Sequence, residues 1–253
     1  MPSHVLGDDF RIPLLLLPGT LTDSGLFAHQ TAYLADVAEI AVGDLTQGSS
    51  IADMAQAVLS NAPPRFALAG LSLGGIVSLE IMRRSPERVE RLALLDTTPL
   101  LPRPDQLETW DKLAALARDG KLDLAVDHLL PGLLSHDSGM DSRAAATIRE
   151  MAIRVGPEAF IRQLNALAVR PESVETLSSI KCPTVVLAGR LDSVTPPSLH
   201  REMALAIPGS ALVIVDQCGH LSPMDQPQAV TAVLRYWLQI GHGARDHPEH
   251  EVI

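Results

Sequence analysis

Six short apolar segments recur along the chain: IPLLLL (12–17), EIAV (39–42), RFALAG (65–70), RLALLD (91–96), PTVVLAG (183–189) and ALVIVD (211–216). Hardly any polar residue alternates within them, which is how strands covered on both faces read. Helix-like stretches lie between most of them, among them SIADMAQAVLSNAP, LGGIVSLEIMRRSP and PSLHREMALAIPG. Buried strands alternating with helices constrain the chain to an α/β fold, a mostly parallel sheet with helices on both faces. At 253 residues it is long enough for one large domain with a substantial core.

The alternation breaks once. The 85 residues from Thr97 to Lys181 hold no convincing strand and read as helices: DQLETWDKLAALARDG, KLDLAVDHLLPGLL, DSRAAATIREMAIRVG and PEAFIRQLNALAVR. Gly120 and Gly156 are placed to stop helices, and Pro157 suits the first turn of the next one. Because the strands resume in phase afterwards, residues 98–180 read as a helical cap (lid) inserted after the fourth strand, over the carboxyl edge of the sheet. Residues 1–97 and 181–253 would form the core. A separate helical domain is the alternative.

Composition narrows the partners. With 46% hydrophobic and 20% charged residues the chain has the balance of an ordinary soluble globular protein. Thirty acidic residues against 20 basic ones leave a formal charge of -10, and the basic residues are scattered. That argues against nucleic acid and against an anionic membrane surface as partners. No apolar run approaches the roughly 18–20 residues that span a bilayer, and the opening MPSHVLGDDF lacks the basic region of a signal peptide. Cys182 and Cys218 fall at opposite ends of consecutive strands, too far apart to bridge, and two free thiols suit a cytoplasmic location. The tail GHGARDHPEHEVI carries three histidines and reads as a frayed polar terminus rather than a metal site. No nucleotide-binding glycine motif is present, and no metal or organic cofactor is expected.

Chemistry enters at FALAGLSLGG (66–75), where Gly70-Leu71-Ser72-Leu73-Gly74 matches G-x-S-x-G. Such a match is common enough by chance to need support from its surroundings. Here a strand precedes Ser72 and a helix follows it, the context of a nucleophile elbow. Gly70, Gly74 and Gly75 then leave room for a sharp turn, which presents the hydroxyl at a helix N-terminus where a developing anion is favoured. A serine hydroxyl needs a base. Of nine histidines, His220 is best placed, four residues beyond the last apolar segment in the loop DQCGHLSP. That loop opens at the same sheet edge as Ser72. His29, His128, His136 and His200 fall in helical or cap segments, where surface or cap-lining roles suffice, and His4 and the tail histidines are expected to be mobile.

The base needs an orienting carboxylate. Asp192 in AGRLDSVTPP follows the fifth segment and is preferred. Asp96, ending the fourth, is its rival, with a structural or pocket-lining role otherwise. Asp216 and Asp225 are explained by turn or helix-cap roles. For an oxyanion hole the Leu73 amide is the expected first donor, and the turn LLPGTLTD supplies the second, Thr20 with Leu21 as the alternative. Leu21, Trp110 and Phe160 are candidates to line a substrate pocket, although residues of this kind also serve simply to pack a cap on a core.

GLSLGG, GRLDSVTP and CGHLSPMDQP together resemble the nucleophile, acid and histidine segments of the α/β-hydrolase superfamily, in its order and over nearly the whole chain. Two departures stand out. Pro18-Gly19 occupies the place of the family's common His-Gly, and only about a dozen residues precede PLLLL, too few for its usual N-terminal hairpin. The resemblance therefore implies six parallel strands ordered 2-1-3-4-5-6. It also implies a serine hydrolase, carboxylesterase-like, acting on a small to medium apolar carboxylic ester through Ser72, His220 and Asp192. Lactones, thioesters and carbon–carbon bonds of vinylogous diketones are cleaved by the same triad, and a non-catalytic small-molecule receptor is the reading from another class.

Overall fold

A computed structural model of the chain describes residues 11–135 and 142–240. Six strands form a single sheet: β1 (Ile12–Leu17), β2 (Ala38–Val42), β3 (Phe66–Leu71), β4 (Val89–Leu95), β5 (Thr184–Gly189) and β6 (Ala211–Val215). All neighbouring pairs are parallel, and the order is β2-β1-β3-β4-β5-β6. Each strand lies within two residues of the apolar segment that announced it. Every residue of β3 and β5 is buried, as their unbroken apolar runs require.

Between the strands run α1 (Ala28–Tyr33), α2 (Ile51–Asn61), α3 (Leu73–Arg84), α4 (Pro104–Arg118), α5 (Leu122–Leu133), α6 (Arg143–Val155), α7 (Pro157–Ala168), α8 (Val174–Leu177), α9 (Pro197–Ala206), α10 (Ser222–Asp225) and α11 (Pro227–Gln239). Because side chains alternate along a strand, the sheet builds two apolar layers. Leu15, Leu17, Leu68 and Val186 face α2, α3 and α9, while Leu14, Leu16, Ala69 and Leu187 face α11 and its neighbours. Residues of α4 to α7, including Leu113, Leu130, Met151 and Phe160, join that second layer.

Among the described residues the long gap between β4 and β5 holds helices and no strand, as its pattern indicated. Its predicted stops fall at helix ends: Gly120 and Gly156 have φ of 74° and 81°, and Pro157 opens α7. Both cysteines are free, Cys182 before β5 and Cys218 after β6. Among the described residues no helix is long and apolar enough to cross a membrane. His4, His136 and the C-terminal histidines lie outside the described residues.

The sheet order fixes where a site can form. From β1 the chain crosses to β2 on one side, and from β3 it crosses to β4 on the other. The loops after β1 and β3 therefore part at the carboxyl edge and leave a crevice between them, the usual ligand position in an open α/β sheet. Thr20 stands in the first of these loops and Ser72 in the second.

Candidate active site

Ser72 occupies a turn that ordinary residues avoid, with φ 54° and ψ −114°. The turn is held from three sides. The Ser72 amide donates to the Leu95 carbonyl (3.0 Å), while the Ser72 carbonyl accepts from the Ile76 amide (3.1 Å) and from Thr97 Oγ1 (2.7 Å). Strain of this kind survives only where the surroundings over-determine it. A β-carbon on Gly70 would meet Gly74 O at 2.3 Å, and one on Gly74 would meet Leu17 O at 2.1 Å. The sharp strand-to-helix passage thus has no room for side chains at either place.

Two loops, those after β5 and β6, bring the remaining groups to Ser72. His220 Nε2 lies 3.0 Å from Ser72 Oγ, and His220 Nδ1 lies 2.9 Å from Asp192 Oδ2. Asp192 receives three further hydrogen bonds. The Val194 and Thr195 amides donate to Oδ1 (2.8 and 3.0 Å), and Thr195 Oγ1 donates to Oδ2 (2.7 Å). A carboxylate so supplied stays ionised and can only accept, so Nδ1 carries the imidazole proton and Nε2 accepts from the serine. Burial works to raise the Asp192 carboxyl, but His220 and the Thr195 bonds outweigh it and hold it below its ordinary value. Burial likewise works to lower His220, and the Asp192 charge with its hydrogen bond outweighs that, so the imidazole is raised.

Asp96, the rival carboxylate, goes the other way. It is fully buried, and its Oδ1 accepts from the Gly189 amide at 2.8 Å, clasping the ends of β4 and β5. Burial first, and the Asp192 charge second, push its carboxyl up to about 8, against the opposing pull of His220 and the Gly189 amide. Oδ2 of Asp96 and Oγ of Ser222 are both left without a hydrogen bond. Two neighbouring carboxyls driven apart in this way hold different protonation states at neutral pH. The unfolded chain ionises Asp96 above about pH 4, whereas the folded chain keeps the proton to about pH 8. Its contribution to stability is therefore complete below about pH 4 and is lost as pH rises toward about 8. Asp96→Asn, which keeps the neutral shape, is expected to flatten the fall of Tm across that interval. Parallel Tm–pH curves for the two proteins would contradict this.

Above Ser72 opens a cavity of about 250 Å³. Thr20 walls it on the sheet side with Ser72 and His220, and Trp110 of α4, Phe160 of α7 and Arg170 wall it on the helical side. Leu73 begins α3. Among the described residues neither the Thr20 nor the Leu73 amide has a protein acceptor. Leu21, expected as a pocket residue and as an alternative donor, does neither. Its side chain is packed in the core, and its amide donates to Gln163 Oε1 (3.0 Å). Gln163 of α7 was not singled out in the sequence. It is buried, and its Nε2 also donates to Leu45 O (3.1 Å), so one amide side chain ties the turn after β1 to the helical segment.

The histidines sort by contact. His128 lines the cavity, and His29 bonds Thr231 and stacks on Tyr33 at the surface. His200, expected at a surface or in the cap, is instead fully buried on α9, where burial lowers its pKa. Its Nε2 accepts from the Thr97 amide (3.0 Å), so it braces the residue that holds the Ser72 carbonyl. Asp225 fixes the His220 loop from below, accepting from the Gly219 amide (2.6 Å). Asp216 pairs with Arg190 at the surface.

A model of the alpha/beta hydrolase family matches residues 2–233. The pimeloyl-acyl-carrier-protein methyl ester esterase of Nitrosomonas europaea is 28% identical over 192 residues, covering 71% of this chain and 73% of the relative. Among solved structures, a thermophilic esterase from Thermogutta terrifontis superposes with a TM-score of 0.81 at 28% identity, covering 90% of this chain and 89% of that one. The enol-lactonase of Burkholderia xenovorans LB400, at 24% identity, shares the fold with a TM-score of 0.80 over 90% of this chain and 92% of its own. With the family match running through all six strands and through Ser72, Asp192 and His220, the chain belongs to the alpha/beta hydrolase family.

Proposed function

We propose that this protein is a serine hydrolase that cleaves a small to medium carboxylic ester with an apolar body by two-step acyl transfer. The observation that carries the reading is the unbroken hydrogen-bond relay from Ser72 through His220 to Asp192, opening on a cavity. His220 Nε2 takes the Ser72 proton as Oγ attacks the ester carbonyl. The Leu73 and Thr20 amides hold the resulting oxyanion, and Asp192 stabilises the imidazolium. The imidazolium then protonates the departing alcohol, and water, activated by the same histidine, releases the acid. Esterases among the relatives at 28% identity support the bond type.

In this reading residues 98–180 are a lid rather than a second domain, because α4 to α7 share an apolar cluster with the sheet and close the cavity over Ser72. A cavity of about 250 Å³ lies below the ~300–1,000 Å³ usual for drug-sized ligands, which favours short substrates. A fluorophosphonate probe is expected to label one residue, Ser72, as read by peptide mass spectrometry. Turnover of p-nitrophenyl esters is expected to fall from butyrate to decanoate. A folded protein that neither labels nor turns over any ester overturns the reading, and tight ligand binding without turnover would then point to a receptor.

A further inference from the structure

We infer that Arg170 is a carboxylate-binding subsite of the cavity, so that the ester cleaved by this chain carries a free carboxylate remote from its scissile bond. The inference rests on the hydrolase reading and names its substrate class. Arg170 lies just beyond α7, is 5% exposed, and lines the same cavity as Ser72 and His220. Two of its five N–H groups are engaged, Nε with Leu100 O and Nη1 with Leu167 O, both at 3.0 Å. Among the described residues nothing takes the remaining three, and no carboxylate faces the guanidinium.

Two comparisons within the chain separate this arginine from a structural one. Arg83, Arg154 and Arg235 are each paired with an acid. Arg88, which has no acid partner among the described residues, spends its guanidinium on four backbone carbonyls, those of Leu59, Ala62, Pro63 and Pro64. Among the described residues Arg170 has no acid and two carbonyls to the four of Arg88, and although burial depresses its pKa to about 10 it stays charged at neutral pH. A buried charge without a counter-ion is costly unless something arrives to pair with it. The Trp110 ring centroid sits 5.6 Å from the guanidinium carbon, a cation–π contact on one side of it. A guanidinium anchored by two backbone carbonyls, with N–H groups left free, matches the flat, bidentate carboxylate.

Charge balance selects the carboxylate over a phosphate. Besides His128 and His220, Arg170 is the basic side chain on the cavity wall, so the site neutralises one negative charge and would leave a phosphate dianion half-compensated. The chain's net charge of -10 repels anions in general, so a single desolvated cation inside the cavity confers selectivity that the surface does not.

The test compares esters matched in length but not in charge. Monomethyl glutarate and monomethyl adipate are set against methyl hexanoate, and the acetyl ester of 4-hydroxybutyrate against pentyl acetate, so that the carboxylate is offered on the acyl and on the alcohol side. The wild type is expected to favour the anionic member of at least one pair in kcat/KM, and Arg170→Gln to reduce that preference by about 10–100-fold. Arg170→Lys should restore part of it. A purely structural Arg170 would slow both members of each pair alike. Binding of monomethyl adipate to Ser72→Ala, measured by calorimetry with and without Arg170→Gln, reads the subsite independently of chemistry. If binding depends on Arg170 but no ester is turned over by the wild type, the subsite stands and the hydrolase reading falls. If neutral esters are turned over through Ser72 while Arg170→Gln leaves every anionic-to-neutral ratio unchanged, the subsite is overturned.

Discussion

Ser72→Ala is expected to lower kcat/KM for a short acyl ester by about 10³-fold or more while leaving the fold intact. The hydroxyl makes one hydrogen bond, to His220, and the strained turn is held through backbone atoms that alanine retains. Thermal unfolding should therefore move little. His220→Ala should cost a similar factor, because without Nε2 the hydroxyl keeps its proton. Asp192→Asn should cost about 10³–10⁴-fold, since an amide facing Nδ1 favours the wrong tautomer. These groups act on one proton, so the Ser72→Ala/His220→Ala double variant should be no slower than Ser72→Ala alone within about threefold. Multiplying losses in the double variant, measured on p-nitrophenyl butyrate, would mean that the two side chains serve separate steps and would sink the relay.

How much of this was legible in advance depended on the kind of signal. The sheet was readable because strands buried on both faces leave unbroken apolar runs, and a run does not depend on knowing its neighbours. The elbow was readable because a steric demand, glycine at positions 70 and 74, is written in residue identity. The sequence preferred Asp192 over Asp96 by its place in the chain, but both follow a strand at the same sheet edge, so spacing does not show what separates them. Their difference lies in who donates to them: Asp192 gathers Val194, Thr195 and His220, while Asp96 has one amide and burial.

The residues missed were single polar side chains whose meaning is tertiary. Gln163 sits on an amphipathic helix and looks like any polar position until α7 is docked, when it proves 1% exposed and bonded to two loops. His200 reads as surface in PSLHREMALAIPG, yet α9 turns it inward against Thr97. Leu21 is the converse case. An apolar residue beside the expected oxyanion turn suggests a pocket wall, but its backbone, at φ 57°, directs the side chain into the core.

Gly74→Ala is expected to cost about 3 kcal/mol or more of stability, toward the upper range for overpacking a buried site. The new methyl would stand 2.1 Å from Leu17 O and 2.6 Å from Leu17 C, both backbone atoms at the buried end of β1, inside the sheet. No flexible side chain is available to yield, so α3 must move away from β1. In a chain of this size such a loss lowers Tm by about 6–12 °C. Gly120→Ala is the control, because it strains a positive φ of 74° with nothing within 4 Å of the new atom. Gly74 sits in α3 without a positive φ, where alanine is otherwise favoured, so a Gly74→Ala variant that unfolds no lower than Gly120→Ala would contradict the contact with Leu17. The contact predicts a wide gap between them. It also predicts that Gly74→Ala loses turnover at temperatures where it remains folded, because the helix that must shift begins at Leu73 and carries Ser72 at its N-cap, so displacing it separates Ser72 Oγ from His220 Nε2.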